Sequence, residues 1–460
     1  MKVKDFLKMI RIEKNIEAYW LDKSRISMYI RDYWPKLVYG LVHGEKAPQP
    51  AGLIIPKNED EVLEVLSLAN KYGIRVRVYG GGSGVLGAAS PSGNDVIVDI
   101  TRLNWIRWYD RKSRIVDVGA GAYMAEVEEW LNKQGYTTRH YPQSIAVATV
   151  GGLLSTYSSG QYSTGYGNIE DIVLGLNFVT PSAGLVRIRP NPRGGVIPLL
   201  KSLMLGSEGT LGVITRVYLG VFRRPRRVYK FAYLAKDFYE AIDSTYRVIE
   251  AGIYPQLLRI FDEYETMVSL GIKKWGSGII GVLEGGMASR QNLRYLNRVY
   301  KEPLDESYFD KWYRGRNDVI KYIYTLYKSG LAVETIELAA PWSKVKDLYS
   351  DVRSRVLEID GVITATAHIG HFYNNGVGIY FTFSIDLGRF SEVYPVLWDT
   401  VEYIALRNNC SPLHHHGVGR VRGKYLTQYI GYEASNVIRL IKNALDPNNI
   451  LAGGLSELVE

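Results

Sequence analysis

Four of the five residues Gly80-Gly81-Gly82-Ser83-Gly84 are glycine, and they follow Ile74-Arg75-Val76-Arg77-Val78-Tyr79, whose alternation and β-branched content predict a strand. A strand running into so bare a loop narrows what the chain can become. A tight turn does not need four glycines. Together they expose a run of backbone N–H groups with no side chain in front of them, which suits an anionic group such as a diphosphate. Gly82-Ser83-Gly84-Val85-Leu86-Gly87 also matches G-x-G-x-x-G. That fingerprint needs a helix next, with the diphosphate on its N-terminus. Here Ala88-Ala89-Ser90-Pro91-Ser92-Gly93-Asn94 turns into another strand at residues 96–100, so the expectation is a strand–loop–strand cradle.

The 460 residues exceed what one hydrophobic core serves. The expected division is an N-terminal helical segment (1–46), two α+β domains (47–222 and 223–405) and a C-terminal segment (406–460). A composition of 46% apolar and 22% charged residues excludes extensive disorder. The single cysteine, Cys410, excludes an intrachain disulfide framework and favours a reducing, cytoplasmic setting. Residues 1–20 have no apolar signal-peptide core. Residues 1–45 read as a basic amphipathic helix with Tyr19, Trp20, Tyr29, Tyr33 and Trp34 interleaved. It packs on the body or touches a membrane from its periphery. The net charge of +9 suits anionic small-molecule or lipid-like partners, and with no zinc-finger, RNP or helix-turn-helix pattern no nucleic acid is expected. A homodimer is the oligomer allowed for. Residues 141–169 contain no charged residue and no histidine; Gly151-Gly152 and many Ser and Thr make them a packed polar region, not a membrane span.

More than 300 residues after the glycine loop stands His414-His415-His416-Gly417-Val418-Gly419. Adjacent side chains point in different directions, so at least one of three consecutive histidines should reach a cavity and move protons near neutral pH.

Pro56-x-x-Glu59-x-Glu61-Val62, the glycine loop, Val150-Gly151-Gly152 and Gly206-Ser207-Glu208-Gly209-Thr210-Leu211-Gly212-Val213-Ile214-Thr215 resemble, in order and spacing, the FAD-binding half of the vanillyl-alcohol oxidase/PCMH flavoproteins. Tyr166-Gly167-Asn168-Ile169-Glu170-Asp171-Ile172-Val173, Gly378-Ile379-Tyr380-Phe381 and the histidine run are similar to alkylglycerone-phosphate (alkyl-DHAP) synthases. The resemblance implies an α+β protein. A PCMH-type FAD-binding domain of two α/β subdomains would be joined to an α+β substrate or cap domain with an antiparallel sheet. The C-terminal segment would return to the FAD domain.

It further implies exchange of an acyl ester for an alkyl ether on a dihydroxyacetone-phosphate-like substrate, without net redox. FAD would lie on Gly80, Gly81, Gly82, Ser83, Gly84 and Val85, along Pro142, Gln143, Ser144, Thr149, Gly151 and Gly152, and against Ser155, Ser159, Tyr166 and Asn168, with Glu208 and Ile214 near its adenosine end. The catalytic residues would be Tyr380, His414, His415 and His416; Arg259 and Thr335 would contact substrate. The family's second anion-binding arginine is absent, Tyr324 falling near it; Arg314 or Arg316 is the expected substitute, Arg316 being the one assigned to substrate. Covalent members carry a His or Cys at the flavin. Residues 77–90 have neither, so non-covalent FAD is expected.

The competing reading is an FAD-dependent 2-hydroxy-acid dehydrogenase of the D-lactate or glycolate type. Those enzymes carry a metal-binding pattern resembling H-x-G-D-G-N-x-H. Here Ala367-His368-Ile369-Gly370-His371-Phe372-Tyr373-Asn374-Asn375 has His371 for the Asp and Asn375 for the last His, so no metal is expected.

Overall fold

The computed structural model describes residues 1–20, 23–195, 197–455 and 458. Residues 21–22 of the N-terminal segment and 456–457 and 459–460 of the C-terminal segment therefore lie outside the described residues.

Strands β1 (Glu17–Tyr19), β2 (Gly52–Ile55), β3 (Val76–Tyr79) and β4 (Val96–Asp99) form a first sheet in the order β1-β2-β4-β3. β3 and β4 are parallel, with Val76 opposite Val96, and the glycine loop joins them with no helix between. Helix Glu59–Tyr72 precedes β3. Asn58 caps it by accepting from the Glu61 N–H at 2.8 Å, and Gly73 ends it in the left-handed region at φ 63°. Its buried Val62, Val65, Leu66 and Ala69 share a core with Phe6, Leu7 and Ile10 of helix Val3–Ile12. At about 1.5–3 kcal/mol per large apolar side chain, that stripe ties the N-terminal helix to the body. The expectation of a wholly helical start fails at Glu17–Tyr19. There Ala18 is buried between two half-buried neighbours, and the segment pairs antiparallel with β2 as an edge strand.

Next come β5 (Ile106–Asp110), β6 (Ile115–Gly119), β7 (Tyr136–Thr137), β8 (Val173–Thr180), β9 (Gly184–Ile188), β10 (Val213–Gly220) and β11 (Phe222–Arg223). β7 and β11 pair with each other. The rest form an antiparallel sheet in the order β5-β6-β10-β8-β9, and its core is continuous with that of the first sheet.

β12 (Val228–Ala235), β13 (Leu257–Phe261), β14 (Ser277–Glu284), β15 (Leu331–Pro341), β16 (Val362–Phe372) and β17 (Gly376–Asp386) build a six-stranded antiparallel sheet in the order β12-β14-β13-β16-β17-β15. Helices Phe238–Glu250, Val345–Val356 and Phe390–Arg407 bury one face through Phe238, Leu348, Leu397 and Val401. The protein is thus α+β, its two larger sheets antiparallel and its first sheet parallel except at β1. Helix Gly423–Leu445, broken at Gly431 (φ 85°), leads the chain back to the first sheet, where the Val76 N–H donates to Ile450 O and the Ala452 N–H to Val76 O, each at 2.8 Å. No described helix is long and apolar enough to cross a membrane.

Candidate active site

Two surfaces carry the chemistry. The first is the glycine loop. A Cβ on Gly80 would overlap Thr149 Oγ1, one on Gly81 the Val147 carbonyl oxygen, and one on Gly82 (φ 60°) the Tyr79 hydroxyl. The loop therefore lies directly on the backbone of residues 147–148 and on the Thr149 side chain, a contact only glycine allows. No N–H of residues 80–85 donates a hydrogen bond within the described residues, so six adjacent amides present themselves as free donors. Thr149 caps helix Val150–Ser155 by accepting from the Gly152 N–H at 3.3 Å, and the Gly151 N–H bonds Ala120 O at 2.7 Å. Ser155 Oγ donates to Gly151 O at 2.8 Å. Pro142 O and Ser144 O hold the turn that follows, receiving the Ile145, Val147 and Ala148 N–H groups. A bare amide cradle beside a long stretch free of charges is what the diphosphate and flat ring system of FAD need, and these residues fit it.

The second surface is the open face of the six-stranded sheet. Cross-strand partners share a face. Phe261 lies opposite His368, His368 opposite Tyr380, and Tyr380 opposite Glu337; one step along, Thr366, Thr382 and Thr335 stand in a row. Arg259, two residues before Phe261, joins them. Strict alternation would send His371 to the other face, since it is three residues from His368. A register shift between Ile369 and His371 pairs His371 with Gly378 instead and returns it to the Tyr380 side.

The histidine loop lies over this face. His371 Nε2 is 2.7 Å from the Tyr380 hydroxyl and His415 Nε2 is 3.4 Å from it. His415 Nδ1 meets His414 Nδ1 at 2.7 Å, and His414 Nε2 meets the Tyr373 hydroxyl at 2.7 Å. Asn168 Nδ2 donates to Tyr373 at 3.1 Å, and at the other end Ser163 Oγ is 2.6 Å from His371 Nδ1. One hydrogen-bonded chain thus runs Ser163–His371–Tyr380–His415–His414–Tyr373–Asn168. Ring nitrogens of His371, His414 and His415 come within 4.8 Å of one another, but each faces one of these partners.

Two buried carboxylates hold the loop. Glu337 Oε1 accepts the N–H of His414 (3.1 Å), His415 (2.9 Å) and His416 (2.8 Å), while its Oε2 pairs with Arg422 and lies 3.6 Å from His416 Nδ1. Burial alone would raise Glu337, but Arg422, His416 and His415 hold it well below the usual carboxylate range. Glu208 accepts the Val418 N–H and, at 3.0 Å, the Gly419 N–H; burial still pushes its carboxyl up to about 7.

Burial sets the other groups. It holds His414 down to about 4, keeps His371, His415 and His416 below the ordinary histidine range, and raises Tyr380 so that its hydroxyl stays protonated. Arg259 is buried, stacks over Trp312 at 5.1 Å, leaves its Nε unpaired and forms no close ion pair among the described residues, though Glu265 acts on it from further off. Burial and nearby Arg316 lower its pKa. Arg316 Nε bonds Gln161 Oε1 at 2.8 Å, and Gln143 Nε2 bonds the Arg316 carbonyl at 2.9 Å.

The structure therefore brings Tyr380, His414, His415, His416, Arg259 and Arg316 together. Thr335 stands beside them, its hydroxyl 3.4 Å from that of Thr382. Ser159 lies beside the Tyr373 hydroxyl, and Tyr166 donates to Glu284 at 2.7 Å. Glu208 is turned to the loop amides, and Ile214 is packed in the shared core. His371 as a partner of Tyr380, and Ser163, Tyr373, Glu337, Arg422 and Gln161, were not singled out in the sequence. Glu337 left one signal: a carboxylate between Ile336 and Leu338, three residues after Glu334, in a strand that is apolar apart from these two and Thr335.

A family model described as an FAD binding domain matches residues 50–189, and one described as FAD linked oxidases, C-terminal domain, matches residues 224–455. The amide cradle in the first span and the buried acid–base face in the second define a flavin-dependent enzyme. The chain belongs to the FAD-linked oxidases, and its cofactor is FAD. It is similar to the alkyldihydroxyacetonephosphate synthase of Dictyostelium discoideum, at 29% identity over 453 residues covering 88% of this chain and 73% of that one. It is also similar to a D-lactate dehydrogenase of Anaerostipes hadrus, at 24% over 444 residues covering 90% of each. A solved alkyldihydroxyacetonephosphate synthase shares the fold with a TM-score of 0.81 and 23% identity, over 98% of this chain and 85% of that one.

Proposed function

We propose that this enzyme exchanges the acyl ester of a dihydroxyacetone-phosphate-like substrate for an alkyl ether without net redox. The observation that carries the reading is the Tyr380 hydroxyl, set between His371 Nε2 at 2.7 Å and His415 Nε2 at 3.4 Å beside a buried arginine whose Nε has no hydrogen-bond partner. A proton-handling group next to an anion receptor is what such an exchange needs. The similarity to the Dictyostelium synthase supports it. Arg259 and Arg316 receive the substrate's anionic group, with the Thr335 hydroxyl beside it. Tyr380 moves a proton at the reacting carbon, and His414, His415 and His416 carry protons to and from departing and entering oxygens. Bound FAD supplies a flat electrophilic ring system with which the substrate carbon can be activated. Residues 80–85 hold it non-covalently, with Thr149, Gly151 and Gly152 alongside. Acid precipitation should leave the flavin in the supernatant, and flavin in the pellet would refute non-covalent binding.

A second reading is a 2-hydroxy-acid dehydrogenase, favoured by the similarity to the Anaerostipes enzyme. Anaerobic mixing separates the two. Acyl-dihydroxyacetone phosphate plus a long-chain alcohol should yield an ether and leave the flavin's visible absorbance restored at the end of turnover. Lasting bleaching by D-lactate, glycolate or D-2-hydroxyglutarate, with no ether formed from the acyl ester, overturns the first reading.

A further inference from the structure

We infer that His371 takes the Tyr380 hydroxyl proton as Tyr380 receives one from substrate, so that the two side chains work as a single acid–base pair whose ring orientation is fixed by Ser163. The inference rests on the reading that Tyr380 handles a substrate proton. A buried tyrosine that stays protonated has no free lone-pair charge with which to act as a base. It can accept a proton only by passing on its own. Two ring nitrogens face its hydroxyl, and the nearer by 0.7 Å (3.4 less 2.7) is His371 Nε2, not a member of the histidine run. His371 Nδ1 is turned to Ser163 Oγ at 2.6 Å. If Nδ1 carries the hydrogen and donates it to Ser163, the Nε2 lone pair points at Tyr380, which is the tautomer an acceptor requires. The bulge at residues 369–371 is what puts the ring there.

The step balances without a further reagent. The substrate C–H bond breaks and its electron pair stays on carbon. Its proton forms a new O–H bond at Tyr380, the original Tyr380 O–H breaks, and that proton bonds to Nε2. His371 becomes an imidazolium with Nδ1–H still on Ser163, and the reverse transfer restores it. The groups facing His371 are His368 on its own strand, Arg259 on β13, Tyr380 on β17, His414 and His415 on the loop and Ser163 on helix Ser163–Tyr166. None is a carboxylate, so nothing holds the added charge and the proton is returned, not stored. His371 acts through Tyr380 and is in that sense a positioning, proton-accepting residue.

The chain has seven histidines, few enough to assign the ring nitrogens of ¹⁵N-histidine-labelled holoenzyme by single substitutions. The expected spectrum shows His371 as the neutral Nδ1–H tautomer at neutral pH, with the Nε2 resonance moving in Tyr380→Phe. An Nε2–H tautomer or an imidazolium overturns the inference, whatever the substrate. In turnover, His371→Gln should lower kcat about 100-fold with KM within about threefold and FAD content unchanged. A near-normal kcat in His371→Gln, with Tyr380→Phe inactive, removes His371 and leaves the function standing. Near-normal turnover in Tyr380→Phe removes the function first and this inference with it.

Discussion

The glycine cradle and the histidine loop are both built from consecutive backbone amides, and they aim them in opposite directions. Residues 80–85 keep their N–H groups free for a ligand. Residues 414–416, 418 and 419 spend theirs on the protein's own carboxylates, Glu337 and Glu208. The cradle is a rigid receptor because glycines let it lie flat on residues 147–149. The loop is rigid because two distant acids pin it, which frees its imidazoles to face Tyr380. Cofactor binding is thus a local property of the chain, while the acid–base site is a property of the whole fold.

The sharpest way to break this comparison is Glu337→Ala. It strands three amides and leaves Arg422 with Glu402 as its one carboxylate, and losing one partner of a buried ion pair costs about 3–5 kcal/mol. Urea unfolding should show that loss while the protein still retains flavin. If flavin leaves as well, cradle and loop are one unit. Gly81→Ala attacks the other side. Its Cβ would overlap the Val147 carbonyl, so the loop must lift, and overpacking of this kind costs about 1–3 kcal/mol. The flavin-to-protein absorbance ratio should fall by about tenfold or more, whereas Gly84→Ala, meeting only Asp32 Oδ2 at 3.3 Å, should keep its flavin. Equal retention in the two variants would show that the loop is not seated on residue 147.

Arg259→Ala should raise KM for an anionic substrate about 10- to 100-fold, the scale of one charge-assisted hydrogen bond, with the flavin spectrum unchanged. An unaltered KM would assign the anion to Arg316. The most gradual effect is in pH. His414 is held down to about 4 from its ordinary 6.5, so the unfolded chain takes up the proton first. Its contribution is fully present above 6.5 and is lost as pH falls toward 4, at up to about 1.4 kcal/mol per pH unit. Wild type should therefore show a steeper acid loss of stability than His414→Asn. Gly81→Ala should keep the wild-type slope, because residues 80–85 contain nothing that titrates. Parallel slopes for His414→Asn and wild type would show that the loop is not what makes the fold acid-sensitive.

What could be read in the sequence divides along the same line. Four glycines between two strands act over a few residues, and they took the strand–loop–strand form their spacing predicts. His371 could not be placed that way. Counting by twos from His368 puts it on the wrong face, and only the strand register restores it. The resemblance put Glu208 near the adenosine end of FAD, yet its carboxylate is engaged by amides 210 and 211 residues further along the chain, a partnership no local pattern displays. The edge strand Glu17–Tyr19 was hidden for a related reason: three residues carry too little periodicity to outweigh the helical stretch before them.

The pinned loop also sets an order of events when the chain is made. Glu208 leaves the ribosome early, Glu337 later, and residues 414–419 after both. Domains generally fold as units from the N-terminal end during synthesis. Residues 450–452, however, come later still, and they bond β3, the strand that leads into the cradle. Cradle and histidine loop are therefore both completed only when the C-terminal segment has emerged, so the flavin site and the proton-moving machinery are finished together.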